Sequence, residues 1–152
     1  MCLPKLAEVS LGIKLALGQH DTQAQTGLFN DGADAVFMWF DANQNTLTSA
    51  HAKMALFILP EGSENLITLN GERLGLGYTD TPARAVWKNH TTELTANTLV
   101  LACTDGLIDQ IGGAKHIAFG KRRVRQALLQ HRTLSAPALL ESLMATLSQY
   151  QG

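Results

Sequence analysis

With 152 residues, 45% hydrophobic and 16% charged side chains and a formal net charge of −1, the chain is too apolar for intrinsic disorder and too evenly polar to lie within a bilayer. A chain this long supports one ordinary core that buries about 70% of the surface exposed on unfolding, so a single domain over residues 1–152 is expected. No wholly apolar run exceeds the six residues of Ala35–Phe40, against the roughly 20 that would cross a membrane. Lys5, Glu8 and Lys14 interrupt the stretch that a secretory leader would keep apolar, which predicts a cytoplasmic chain without membrane insertion. Cys2 and Cys103 form neither a disulfide framework nor a metal-binding pair, and both are expected to be free thiols.

In chain order, Leu6, Val9, Ile13 and Leu17 form one helical stripe that Gly18 can end, predicting an amphipathic helix over 4–17. Residues 18–32 read as a loop, and Asn30-Asp31-Gly32 has the turn chemistry that introduces a strand. The segment ADAVFMWFD is a buried strand in which Phe37, Trp39 and Phe40 are expected in the core. Asp41–Asn45 suits a hairpin loop, and TLTSAHAKMALFIL holds another strand or a bent pair. After the Pro60-Glu61-Gly62 turn, NLITLNG alternates apolar and polar residues, and ARAVWKNHTTEL carries strand-like Val, Trp and Thr. Thr98–Cys103 is a compact apolar strand ending at a Thr104-Asp105-Gly106 turn. The period then becomes helical: Val124 and Leu128 anchor a helix over Phe119–His131. Ser135 can cap a last helix, with Pro137 in its first turn and Leu140, Leu143, Met144 and Leu147 as its core stripe. One helix, five or six strands and two helices give an α+β domain with antiparallel sheets.

Charge is unevenly spread. Lys115, Lys121, Arg122, Arg123, Arg125 and Arg132 lie in a stretch from Gln110 to Leu140 that contains no acid, so it carries +6 while the rest of the chain carries −7. Such a stretch is either a solvated helix face or a surface that steers an anionic partner. Nucleic acid is disfavoured because Phe119 is the stretch's single aromatic residue and offers no stacking platform for bases.

Few residues carry recognisable chemistry. His20, His51, His90, His116 and His131 are scattered without zinc-site spacing, LNGERLGLGY lacks both the dinucleotide and the P-loop glycine patterns, and no GxSxG elbow is present. Arg73 in that glycine-rich segment could touch phosphate, although in a turn it more often makes an ion pair or faces solvent. Asp105 remains. A carboxylate at the end of an apolar strand is aimed by a rigid backbone and suits a hard cation such as Mg²⁺ or Mn²⁺, whereas an Asp-Gly pair there is commonly a plain turn.

TDGLIDQIGGAKHIAFGKRR resembles the Thr-Asp-Gly-Leu-(Ile/Thr)-Asp-Gln region of the stage II sporulation protein E-like branch of the metal-dependent, protein phosphatase 2C-like superfamily. NDGADAVFMWFD is similar to that family's Asp-Gly-x-Asp strand, SAHAKMALFIL to its Ala-Gly-Ala-Lys strand, LNGERLGLGY to its Gly-(Asp/Glu)-Arg turn and SLMATLSQYQG to its last helix, in the family's order from about Leu3 to Gly152. His51 stands where the family tends to have Gly. The resemblance implies two antiparallel sheets between helices and hydrolysis of phosphoserine or phosphothreonine on proteins, often anti-sigma-factor antagonists in partner switching. It makes Asp105 the match to a metal-ligating carboxylate, with Asp109 close behind and unassigned. The family's early-strand Asp, its Gly-Asp-x-x-Gly-His turn and its closing Asp-Asp pair have no counterpart here.

The expectation that follows is a domain lacking amino-terminal strands and the last strand, with one Mn²⁺ or Mg²⁺ ligand where ion repulsion calls for several carboxylates. It would be inactive or nearly so alone. Uncovered edges would favour a homodimer or higher oligomer. The alternative is a non-catalytic interaction module, or pseudophosphatase fragment, that binds a phosphoprotein through the surface from Lys115 to Arg125.

Overall fold

A computed structural model describes residues 5–19 and 30–152. Cys2, His20, Pro4 and most of the expected 18–32 loop lie outside them. The described residues fall into two compact units, each with one three-stranded antiparallel sheet and its own helix or helices.

The first unit holds α1 (Leu6–Ala16), β1 (Ala35–Asp41), β2 (Thr46–Ala52) and β5 (Asn89–Glu93), with sheet order β1-β2-β5. The expected hairpin joins β1 to β2: the Asp41 carboxylate accepts from the backbone N–H of Asn43 at 2.9 Å, and Asn45 takes a positive φ of 50°. Register pairs Ala35 with Ala52 and Phe37 with Ala50, so small residues of β2 make room for α1 and for Leu76, Ala85 and Trp87. Leu6 is buried in that cluster, and Val9 and Ile13 pack beside it.

The expected stripe of α1 nevertheless turns away at its end, where Leu17 is 48% exposed and Ser10 and Lys14 are buried instead. The Ser10 hydroxyl accepts from the Gly77 N–H at 3.0 Å, and the Lys14 ammonium donates to the carbonyls of Thr79 and Thr81. These bonds satisfy the 75–81 loop and make burial of a cation tolerable. Of ARAVWKNHTTEL only Asn89–Glu93 is strand; Trp87 is instead a core plug whose indole N–H donates to the Leu74 carbonyl at 3.0 Å.

Trp39 and Phe40 are not core residues: they are 40% and 52% exposed, and only Phe37 joins the packed cluster. Burial here is decided by sheet order. β1 is an outer strand, and among the described residues nothing pairs with its free edge.

His51 is buried on β2, with Nε2 2.8 Å from the Ser49 hydroxyl, its Nδ1 without a hydrogen-bond partner and its ring edge-on to His90 at 5.7 Å. Burial, and secondarily His90, lowers the His51 pKa below its ordinary value of 6.5. Above about pH 6.5 neither the folded nor the unfolded chain holds this proton; below it the unfolded chain gains the proton first, and stability falls. The urea midpoint should therefore drop from about pH 7 to about pH 5, and His51→Asn should remove part of that slope.

The second unit holds β3 (Leu56–Leu59), β4 (Ile67–Leu69), β6 (Leu99–Ala102), α2 (Asp105–Ile108), the hairpin β7 (Ile111–Gly112) and β8 (Ile117–Ala118), α3 (Gly120–Gln130) and α4 (Ala136–Gln151). Its sheet order is β4-β3-β6, so TLTSAHAKMALFIL is a bent pair whose halves serve different sheets. All four residues of β3 are buried. Val124, Ala127 and Leu128 of α3 are buried, as are Leu139, Leu143 and Leu147 of α4.

The predicted α4 stripe is thus shifted: Leu140 and Met144 are 49% and 48% exposed, because an i, i+4, i+8 row containing Leu139 faces inward. The short hairpin β7–β8 has too few residues to show strand periodicity and is absent from the sequence-based expectation. The fold is α+β, with antiparallel sheets flanked by helices, as expected.

Candidate functional site

Asp105 lies three residues after the end of β6, with Cys103 and Thr104 between. Pairing of β6 with β3 fixes the strand (Leu99 opposite Leu59, Ala102 opposite Leu56), and Thr104 leaves it in extended conformation at φ −72° and ψ 166°. The expected turn is a single helical turn, α2, closed by Leu107 N–H to Thr104 O at 3.3 Å and Asp109 N–H to Asp105 O at 2.7 Å. Asp105 and Asp109 are both exposed. A Cβ on Gly106 would make only ordinary contact with Thr104, so this glycine is not required by crowding.

Just inside, Cys103 is half-buried, and burial pushes its thiol pKa up, partly offset by the Lys121 ammonium. A protonated thiol is a poor metal ligand and a poor nucleophile. Among the described residues, no three His, Cys, Asp or Glu side chains come together as a group that could hold a metal ion. Asp105 offers one exposed carboxylate just past the end of β6.

The basic stretch is less available than its sequence suggests. Arg123 donates to the carbonyls of Ala118 and Phe119 at 3.1 and 2.8 Å and lies 4.4 Å over the Tyr150 ring. Arg125 donates to the Leu66 carbonyl at 3.1 Å and to the Thr68 hydroxyl, tying α3 to β4. Arg132 pairs with Glu64 at 3.1 Å. Arg123 and Arg125 are thus half-buried structural clamps and Arg132 makes a surface ion pair, while Lys115 and Arg122 are exposed. Arg73 is exposed as well. His90 is half-buried beside His51, His116 is exposed in the hairpin turn at φ 47°, and His131 ends α3.

In the first unit, sequence reasoning missed a cluster around Lys53. Lys53 has φ +61°, its ammonium lies 4.3 Å over the Tyr78 ring, and Asp34 Oδ1 is 3.6 Å away. A Cβ at Gly71 would collide with the Lys53 backbone, and one at Gly75 with Tyr78 and Asp34. The β1/β2 register, once known, would have found it, since Asp34 and Lys53 lie one step beyond the Ala35–Ala52 pair.

The described residues thus form antiparallel sheets with flanking helices, with Asp105 just past the end of β6. The family model for stage II sporulation protein E (SpoIIE) matches residues 2–152, and the chain belongs to that family. It is similar to the solved SiaA-PP2C domain of Pseudomonas aeruginosa, with a TM-score of 0.77 and 28% sequence identity over 97% of this chain and 53% of that one. The chain therefore spans about half the length of that structure. No curated protein matches it. No helix among the described residues is long and apolar enough to cross a membrane.

Proposed function

We propose that this is a protein serine/threonine phosphatase-family domain in which Asp105 contributes one ligand for Mn²⁺ or Mg²⁺, and that the chain by itself does not turn over phosphoesters. The family match over residues 2–152 supports the phosphatase-family assignment, and the ligand role of Asp105 is argued from its place just past the end of β6. The second half rests on charge: two divalent ions held close together repel each other strongly, and a single exposed carboxylate does not offset that repulsion. The substrate class is a phosphoprotein of the bacterial partner-switching type, resembling an anti-sigma-factor antagonist, in a cytoplasmic setting. Self-association of the domain into a homodimer through the free edge of β1 belongs to the same reading.

The test is turnover of p-nitrophenyl phosphate with excess Mn²⁺, alongside calorimetric titration of the metal. The expected result is a rate indistinguishable from buffer and weak binding that Asp105→Asn removes. Manganese-dependent turnover that Asp105→Asn abolishes would overturn the inactivity. Metal binding unchanged by Asp105→Asn would overturn the ligand assignment.

A further inference from the structure

A groove of about 340 Å³ runs between α3 and α4, inside the second unit. Arg123, Gln126 and Gln130 follow one another along its α3 wall at helical spacing, and Gln149 and Tyr150 stand on its α4 wall. At a rise of 1.5 Å per residue, the stretch from Arg123 to Gln130 is about 10 Å long. Length and volume suit a small organic molecule, at the lower end of the sizes such sites have.

One end of the groove is held rigidly. The Tyr150 carbonyl accepts from the Gly113 N–H at 2.7 Å, and its hydroxyl donates to the Ile117 carbonyl at 2.8 Å, so the ring is tied at both ends. Arg123 lies 4.4 Å over that ring and gives its Nη1 donors to the carbonyls of Ala118 and Phe119. Its Nε and Nη2 make no hydrogen bond to a described residue. Those two nitrogens form the edge of a guanidinium that takes a carboxylate or a phosphate side-on through parallel N–H bonds. Because Nη1 and the tyrosine ring already fix the side chain, an anion there would not have to order it, which lowers the cost of binding.

The remainder of the groove is polar but uncharged. Gln126, Gln130 and Gln149 are exposed, and their side-chain amides, each both donor and acceptor, are bonded to no described residue. No acidic side chain lines the groove; Asp109 and Glu141, the nearest acids in sequence, lie outside it. The amino end of α3 adds positive field and the carboxyl end of α4 opposes it, so the guanidinium decides the sign.

We propose that the groove between α3 and α4 binds a small organic anion, its carboxylate or phosphate on the Nε–Nη2 edge of Arg123 and its amide or hydroxyl groups along the glutamines. None of the groove's residues belongs to the segment that carries Asp105, so this site stands apart from the phosphatase-family reading.

The experiment follows the backbone and glutamine side-chain amides of the full chain by heteronuclear NMR while three probes are titrated separately. N-acetylglutamine carries a carboxylate and amides, glycerol 3-phosphate carries a phosphate and hydroxyls, and N-acetylglutaminamide is the uncharged control. At least one of the two anions should give saturable shifts centred on α3 and α4, with a dissociation constant at least about tenfold below that of the control. The tighter anion identifies the charged group as carboxylate or phosphate. Gln126→Glu with Gln130→Glu, at two exposed positions, should weaken that anion at least about tenfold by like-charge repulsion, with the thermal midpoint unchanged. Arg123→Lys, which keeps a cation and loses the fork, should weaken it as well; if that variant loosens the hairpin, the glutamate pair decides. Equal affinity for charged and uncharged probes, no saturable shifts with either anion, or shifts centred outside α3 and α4 would overturn the proposal. Anion affinity unchanged by the glutamate pair would overturn it too.

Discussion

Phe119→Ala should lower the unfolding free energy by about 3–5 kcal/mol, the usual cost of emptying a buried aromatic site. Phe119 has no exposed surface, packs edge-on against Tyr150 at a centroid distance of 5.3 Å, and joins β8 to α3. Its backbone N–H closes the base of the hairpin onto Gln110, and its carbonyl accepts from Arg123. The cavity left by alanine would remove the surface that orients Tyr150, so the hairpin anchors should loosen with it. Chemical denaturation of parent and variant measures the loss. Hydrogen exchange at the Gly113 amide, bonded to Tyr150, should quicken in the variant more than exchange in β3. A loss below about 1 kcal/mol would mean that the site collapses around the smaller side chain, contrary to what its complete burial implies.

The second large effect concerns assembly. Met38, Trp39 and Phe40 are 45%, 40% and 52% exposed on a strand whose outer edge has no partner among the described residues. An edge that is both aromatic and unpaired invites strand addition, and isolated monomers usually protect such edges with charge or proline. Sedimentation equilibrium at high concentration should give about twice the chain mass of 16.4 kDa. Trp39→Lys with Phe40→Lys should return the mass to that of one chain, because two ammonium groups placed against their symmetry mates repel and would need desolvation. A parent that stays monomeric at every concentration would remove the dimer from the proposal. A variant that still dimerises would move the interface elsewhere, with the exposed Leu11 and Leu15 on α1 the next surface to substitute.

Local pattern carried far along this chain. The stripe of Leu6, Val9 and Ile13 marks α1, the Asp41–Asn45 turn marks the first hairpin, and the apolar run of β6 ends at Asp105. Each of these depends on neighbours within one or two turns of chain, where propensity and period act directly. The family motifs were legible for the same reason, being contiguous.

Which face of an element is buried was decided elsewhere. Trp39 and Phe40 are in as apolar a run as Phe57 and Ile58, yet the first pair is exposed and the second buried, because β1 is an outer strand and β3 a middle one. Lys14 is a surface residue by type, but it is buried because carbonyls of a loop 65 to 67 positions away receive its ammonium. Arg123, Arg125 and Arg132 looked like a partner surface until Tyr150, Thr68 and Glu64, distant in sequence, were brought beside them. Sequence by itself thus determined the longer elements, their order and the carboxylate that follows β6, but not α2 or the β7–β8 hairpin. Tertiary structure decided which charges are already spent within the fold and which apolar side chains still face water, because both depend on partners that only long-range packing supplies.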